Sequence, residues 1–261
     1  MDVDRGLSQP HGTDKTSGPI GAGELTVGAG RLLMVSPGAP CEIRLAPVHR
    51  RAHGTCSSAI GAESAVIAST PRLTVSFTTH RNLKVVDEGD VCCILAFVDT
   101  ALNPIRASQS AAAEICLQAV PVEAISSTAQ LGHWLTLQVM QGHADNELLH
   151  HLRRQESYAL ATYLLKSPLN GAHLNELCVT YGLSYTHFRR LCRRSLGGAI
   201  KARLRAWRAA RTLLNIIDSD QSILEIAVDN GYTSASHVST DIKQLFGFTP
   251  RTARNARNLL P

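Results

Sequence analysis

Two hydrophobic periods divide the chain. From about Glu24 to Val120 apolar residues alternate with polar ones or run in short blocks, and from about Ser127 onward they recur every three or four residues. In the first region CEIRL sets Ile43 and Leu45 on one face, and RLTVSF sets Leu73, Val75 and Phe77 on one face. The continuous apolar run VCCILAFV, Val91 to Val98, has the length and composition of a strand buried on both faces, with Cys92 and Cys93 pointing to opposite sides. VDEGD and TALNPIR read as turns, and SAAAEICLQAV suits a helix. These features predict a small β-rich domain over 24–125. A helix carrying Leu131, Trp134 and Leu135 follows over 127–141, inside a linking segment 126–146. Residues 1–23, rich in Gly, Ser, Pro and Thr without period, predict a disordered tail. The glycine-rich GPIGAGELTVGAG lacks the preceding strand and following helix that a phosphate loop needs.

The second region predicts an all-α domain over 147–261, giving an α+β chain overall. A helix from Glu147 to Lys166 carries Leu148, Leu149, Leu152, Ala159, Leu160, Tyr163 and Leu164 as a stripe and stops at Ser167-Pro168. A helix-turn-helix is then written over about 173–195. Leu174, Leu177 and Cys178 form the buried face of its first helix, Gly182 makes the turn, and Ser184 caps the second helix. There Phe188 and Leu191 face inward, while Thr186, Arg189, Arg190 and Arg193 recur at i, i+3, i+4, i+7 on the other side. A linker helix over about 199–217 has Ile200, Leu204, Trp207 and Leu214 on one face and Lys201, Arg205 and Arg208 on another. Its nineteen residues span about 28 Å at ~1.5 Å each, close to the ~34 Å turn of B-DNA.

A second unit over about 222–246 repeats the plan. Ser222 and Glu225 form a capping box, Gly231 is the turn, Ser234 or Ser236 is the next cap, and Thr249-Pro250 opens a last helix. Laying Val238 on Phe188 puts Ser236, Ser239, Thr240 and Lys243 where the first unit has Thr186 and three arginines. The first unit should therefore dominate affinity, because hydroxyls contact phosphates and bases weakly.

Charge sharpens this reading. Residues 147–261 hold 16 Lys and Arg against 8 Asp and Glu, a net +8, whereas residues 1–146 hold 10 against 13, a net −3. Nine basic residues and no acid lie between Arg189 and Arg211. A basic half suits a polyanion. Seven cysteines without a C-x-x-C pair speak against a disulfide framework or a structural zinc site, and the Cys92–Cys93 pair reads as buried thiols, not a redox sensor. His49, His53 and His80 find no carboxylate at ligand spacing, and no triad or phosphate loop stands out, so no metal, cofactor or catalytic residue is expected. No apolar run approaches a membrane span and the amino terminus lacks signal-peptide order, which predicts a cytoplasmic location.

Two helix-turn-helix units on one long helix, followed by AVDNGY from Ala227 and FGFTPR from Phe246, resemble the AraC family of bacterial transcription regulators over roughly Glu147 to Arg254. The sequence departs from the family pattern at Val238, where an aromatic is usual, and at Thr240, where arginine is common. LSYTHFRRLCRRSLGG from Leu183, AWRAARTLLN after Arg205 and GYTSASHVS after Asn230 are similar to the branch that activates type III secretion genes in invasive bacteria. The resemblance implies double-stranded DNA and RNA polymerase as partners and a secretion chaperone as co-activator. It implies an amino-terminal half used for protein docking or homodimerisation. The DNA-contacting residues it points to are Tyr185, Thr186, Arg189, Arg190, Arg193, Arg194, Ser236, Ser239, Thr240 and Lys243. The alternative is a regulator of the same family gated by a small molecule in the β-rich domain.

Overall fold

The computed structural model describes residues 23–36, 41–47, 56–60, 64–70, 72–78, 82–102, 114–143, 146–167, 174–197 and 199–257. The amino-terminal tail and His49, His53 and His80 lie outside them. Among the described residues eight strands are formed: β1 (Gly23–Val27), β2 (Arg31–Ser36), β3 (Cys41–Pro47), β4 (Cys56–Ile60), β5 (Ser64–Ser69), β6 (Leu73–Phe77), β7 (Asn82–Asp87) and β8 (Ile115–Val120). They make two antiparallel four-stranded sheets ordered β1-β6-β3-β4 and β7-β2-β5-β8. Ile43, Leu45, Leu73, Val75 and Phe77 turn inward as their alternation predicts, and meet Leu33, Val35, Ala65 and Ile67 of the second sheet. The opposite face of that sheet presents Leu32, Met34, Val66 and Ala68 to the helices. The second sheet is thus a middle layer covered on both sides, which is why LLMV and AVIA are apolar at every position.

The helices are α1 (Glu88–Leu102), α2 (Thr128–Met140), α3 (Glu147–Arg153), α4 (Glu156–Lys166), α5 (Leu174–Tyr181), α6 (Tyr185–Ser195), α7 (Ile200–Asp218), α8 (Ile223–Asp229), α9 (Ala235–Phe246) and α10 (Pro250–Arg257). A 3-10 turn, Val122–Ile125, precedes α2, and the Ser127 side chain caps α2 by accepting from the Gln130 N–H.

Four expectations are corrected. VCCILAFV lies in α1, not in a strand. It is apolar on every side because α1 packs against α2, α3 and α4 and also shares its core with the middle sheet. VDEGD carries the chain from the end of β7 straight into that helix: Asp87 Oδ1 accepts the Gly89 N–H at 2.9 Å, and Glu88 and Asp90 sit in the positive first turn. SAAAEICLQAV yields β8 over Ile115–Val120, paired with β5, instead of a helix. The helix expected from Glu147 to Lys166 is two helices broken at Arg154 and Gln155, where Gln155 takes ψ 145. The break has a visible consequence. Asp99 of α1 accepts two hydrogen bonds from Arg153, at 2.8 and 2.9 Å, and one from the Tyr158 hydroxyl at 2.7 Å. Residues five apart on one straight helix point about 140° apart and cannot share a carboxylate. The same break leaves Ala159 exposed instead of on the stripe.

Leu214, which shares a face of α7 with Ile200, Leu204 and Trp207, is 40% exposed. It lies on the same side of α7 as Ile200 and Trp207, but beyond the end of the core those two belong to. That first core is continuous from the middle sheet through α1–α6 to Trp207. A separate core of Ile216, Ile226, Ala227, Tyr232, Val238 and Ile242 holds α8 and α9. Nine residues separate Trp207 from Ile216, so the two cores grip opposite sides of α7 at points about 13 Å apart along its axis.

Candidate nucleic-acid interface

Each helix-turn-helix is built by the same local device. Gly182 has φ +80° and Gly231 has φ +75°, conformations that cost other residues energy. The Gly182 N–H bonds to Val179 O at 3.0 Å and the Leu183 N–H to Cys178 O at 3.1 Å. The Gly231 N–H to Val228 O and Tyr232 N–H to Ala227 O, at 2.9 and 2.8 Å, repeat the pattern. Ser184 then accepts from the His187 N–H, and Ser234, the nearer of the two candidate caps, accepts from the His237 N–H. Ser222 and Glu225 close the expected capping box at the start of α8. Phe188 and Val238 are both fully buried at corresponding places.

On α6 the outward face is cationic. Thr186, Arg189, Arg190 and Arg193 are exposed together with Tyr185, and the Arg189 guanidinium lies 5.6 Å from the centre of the Tyr185 ring. Arg194 is exposed and pairs with Glu156 at 2.9 Å. A surface pair of this kind contributes at most about 1 kcal/mol, so a phosphate can replace the carboxylate. His187, also exposed in the first turn of α6, was not among the sequence candidates.

The corresponding face of α9 is weaker. Ser236, Thr240 and Lys243 are exposed and Ser239 is half-buried. The Ser239 hydroxyl donates to Ala235 O at 2.9 Å and the Thr240 hydroxyl to Ser236 O at 3.0 Å, which leaves both with acceptor capacity only.

The basic run from Arg189 to Arg211 divides into two groups. Arg203 donates to Leu196 O at 2.8 Å and pairs with Asp90 of α1. Arg205 pairs with Asp241 at 2.7 Å, Arg208 stacks 4.5 Å over the Tyr232 ring, and Arg211 donates to Leu165 O at 2.6 Å. These four hold the fold. The exposed arginines of α6 and Lys201, which is exposed at the start of α7, face solvent.

The first unit is bolted to the amino-terminal half. Gly89 of α1 packs so closely on the end of α6 that an added Cβ would stand 2.3 Å from Ser195 O. Beside it the buried Glu88 carboxylate meets His151 at 2.8 Å. Burial pushes the Cys93 thiol up to about 12 and Cys192 up to about 11, and raises Cys92 as well. These are protonated thiols in apolar packing, not reactive thiolates.

A family profile described as "Helix-turn-helix domain" matches residues 177–256. The chain is 45% identical over 124 residues to the invasion protein InvF of Salmonella typhimurium, covering 47% of this chain and 57% of that protein. It is 39% identical over 106 residues to the transcriptional regulator MxiE of Shigella flexneri, covering 40% of this chain and 50% of that one. To the HTH-type transcriptional regulator ExsA of Pseudomonas aeruginosa it is 27% identical over 122 residues, covering 45% of this chain and 42% of that one. The match thus spans about half the length of these relatives. Two copies of one glycine-turned helix pair are set on a single long helix, and the profile lies across both, so residues 177–256 are similar to the helix-turn-helix domain that it describes.

Proposed function

We propose that this protein is a sequence-specific DNA-binding transcription activator of type III secretion or virulence genes, acting in the cytoplasm with RNA polymerase and with a secretion chaperone as co-activator. The observation that carries the DNA-binding part is the exposed face of Thr186, Arg189, Arg190 and Arg193 on the second helix of a helix-turn-helix. An arginine fork bonds guanine O6 and N7 or clamps a phosphate, so one helix face supplies both register and base discrimination. The second unit, joined through α7, extends the contact to a neighbouring groove with hydroxyls and one lysine. The names of the relatives, an invasion protein and transcriptional regulators, support the choice of target genes. The amino-terminal half, with its covered middle sheet and α1, serves as the docking or dimerisation module.

The test has two stages. Genomic binding sites are mapped for the chain in its native cell, and binding to one recovered site is followed against salt. Arg and Lys contacts to phosphate release counterions, so log K falls with log salt at a slope of about −0.9 per contact. A flat salt response, or no enriched sites, refutes DNA recognition. Transcription from that promoter with purified polymerase is then compared with and without the proteins that co-purify. Equal output in both arms refutes the co-activator and leaves the DNA-binding part standing.

A further inference from the structure

Asp241 is a carboxylate in the middle of the second recognition helix, its side chain only 2% exposed. It lies about 140° around α9 from Ser236, on the side away from the candidate groove face. Two other elements meet on it. The Arg205 Nε of α7 donates to Oδ1 at 2.8 Å, and the Tyr232 hydroxyl, from the turn before α9, donates to Oδ2 at 3.1 Å. A second guanidinium nitrogen of Arg205 bonds Gln244, one turn on. Arg208, one turn along α7, stacks 4.5 Å over the Tyr232 ring.

The apolar core beneath, Ile216, Ile226, Val238 and Ile242, pulls α9 toward α7. Apolar burial is non-directional and resists separation more than rotation or sliding. A charge-assisted hydrogen bond is directional and resists both. We propose that Arg205 and Asp241 are positioning residues for DNA recognition: the pair fixes the rotation of α9 about its own axis, and so decides whether Ser236, Ser239, Thr240 and Lys243 meet the groove. This rests on the DNA-binding reading above. It gives Arg205, which the sequence places on a basic face of the linker helix, a role that does not touch DNA.

The experiment uses the full chain and one cognate duplex, with single base-pair changes under α6 and under α9. In the wild type each changed pair read by a helix weakens binding, by about tenfold for an ordinary contact. Arg205→Gln and Asp241→Asn are expected to bring discrimination under α9 close to onefold and leave that under α6 intact. Arg205→Lys, which keeps one charged donor toward Asp241, should recover part of it. Asp241→Asn is the decisive arm. If Arg205 were a phosphate contact, removing an acid beside it would tighten binding, whereas a positioning role requires the loss of discrimination.

The proposal is overturned if Asp241→Asn keeps wild-type discrimination. It is equally overturned if Arg205→Gln flattens the salt slope by about 0.9 while Asp241→Asn binds more tightly. Should circular dichroism show either variant losing helix, Tyr232→Phe takes its place, since it removes only the hydroxyl on Asp241. A smaller loss confined to α9 positions supports the proposal, and unchanged discrimination sinks it. A wild type that discriminates under α6 but not under α9 also refutes it. A wild type that binds no duplex refutes the DNA-binding reading itself.

Discussion

Gly89→Ala isolates the contact between the amino-terminal half and the first recognition helix. An alanine Cβ at this position would stand 2.3 Å from Ser195 O, 3.1 Å from Ser195 C and 2.9 Å from Asp87 Oδ1. Real Cβ atoms do not approach closer than 3.0 Å, so the gap must open by at least 0.7 Å. Ser195 O is backbone at the end of α6 and has no rotamer to escape into. The end of α6 must therefore move away from α1, working against the Arg203 bonds to Leu196 O and Asp90 beside it. Overpacking of this kind costs about 1–3 kcal/mol. The helix preference of alanine over glycine returns about 0.5–1 kcal/mol. A net loss of about 1–2 kcal/mol should lower Tm by roughly 3–6 °C in a protein of this size. Gly28→Ala is the control, because nothing lies within 4 Å of its Cβ position. Urea and thermal unfolding by circular dichroism, with duplex affinity measured alongside, give the answer. A Gly89→Ala chain as stable as wild type, with the Gly28→Ala control also neutral, would mean that α1 and α6 are not pressed together.

Further outcomes are expected. Arg190→Ala should weaken cognate binding by about 1–3 kcal/mol, and Thr240→Ala by less than 1 kcal/mol, because the Thr240 hydroxyl already donates to its own helix; titration of both variants against one labelled duplex decides the order. Asp99→Ala strands Arg153 and the Tyr158 hydroxyl in a largely buried site and should cost about 3 kcal/mol in chemical denaturation, with no selective effect on DNA. Burial alone would raise the pKa of Asp241, but hydrogen bonds from Arg205 and Tyr232 outweigh it and hold the carboxyl below its ordinary 3.8. A depressed carboxylate stabilises the fold above that value and loses its contribution as pH falls through the lower, folded value. The Tm difference between wild type and Asp241→Asn should therefore be steady above about pH 5 and shrink below pH 3.8; a difference that grows on acidification contradicts the pairing.

The carboxyl-terminal half was legible because its signals are local. Gly182, Ser184, Gly231, Ser222 and Glu225 act on bonds within four residues of themselves, and every one of them does so in the fold. The Phe188 and Val238 superposition needed only helical spacing. What failed was set by distant partners. VCCILAFV is apolar in every direction whether it is a strand in a covered sheet or a helix at the centre of a bundle, and only VDEGD, read as a helix start, separates the two. The break after Arg153 brings Arg153 and Tyr158 together on Asp99, a partner more than fifty residues earlier in the chain. The basic run could not be sorted either: Arg203, Arg205, Arg208 and Arg211 look like Arg189 and Arg190 until Asp90, Asp241, Tyr232 and Leu165 O are placed beside them.

The two reading units are held by unequal means, and that bears on how the amino-terminal half can influence DNA. Among the described residues the core of α8 and α9 draws on α7 alone outside the second unit, through Leu213 and Ile216. The first unit shares one core with α1, α2, α3, α4 and the middle sheet, and Arg203 of α7 ties its end further by bonding both Leu196 O and Asp90 of α1. A displacement of α1 reaches α6 through a backbone contact at Ser195, where neither side has a side chain to absorb it. To reach α9 the same displacement must pass along α7 and then through its contacts with α9, the core at Ile216 and the Arg205–Asp241 pair. The strongly cationic head is therefore the one whose position the amino-terminal half sets directly. The hydroxyl-lined head follows α7, and its register depends on one buried carboxylate.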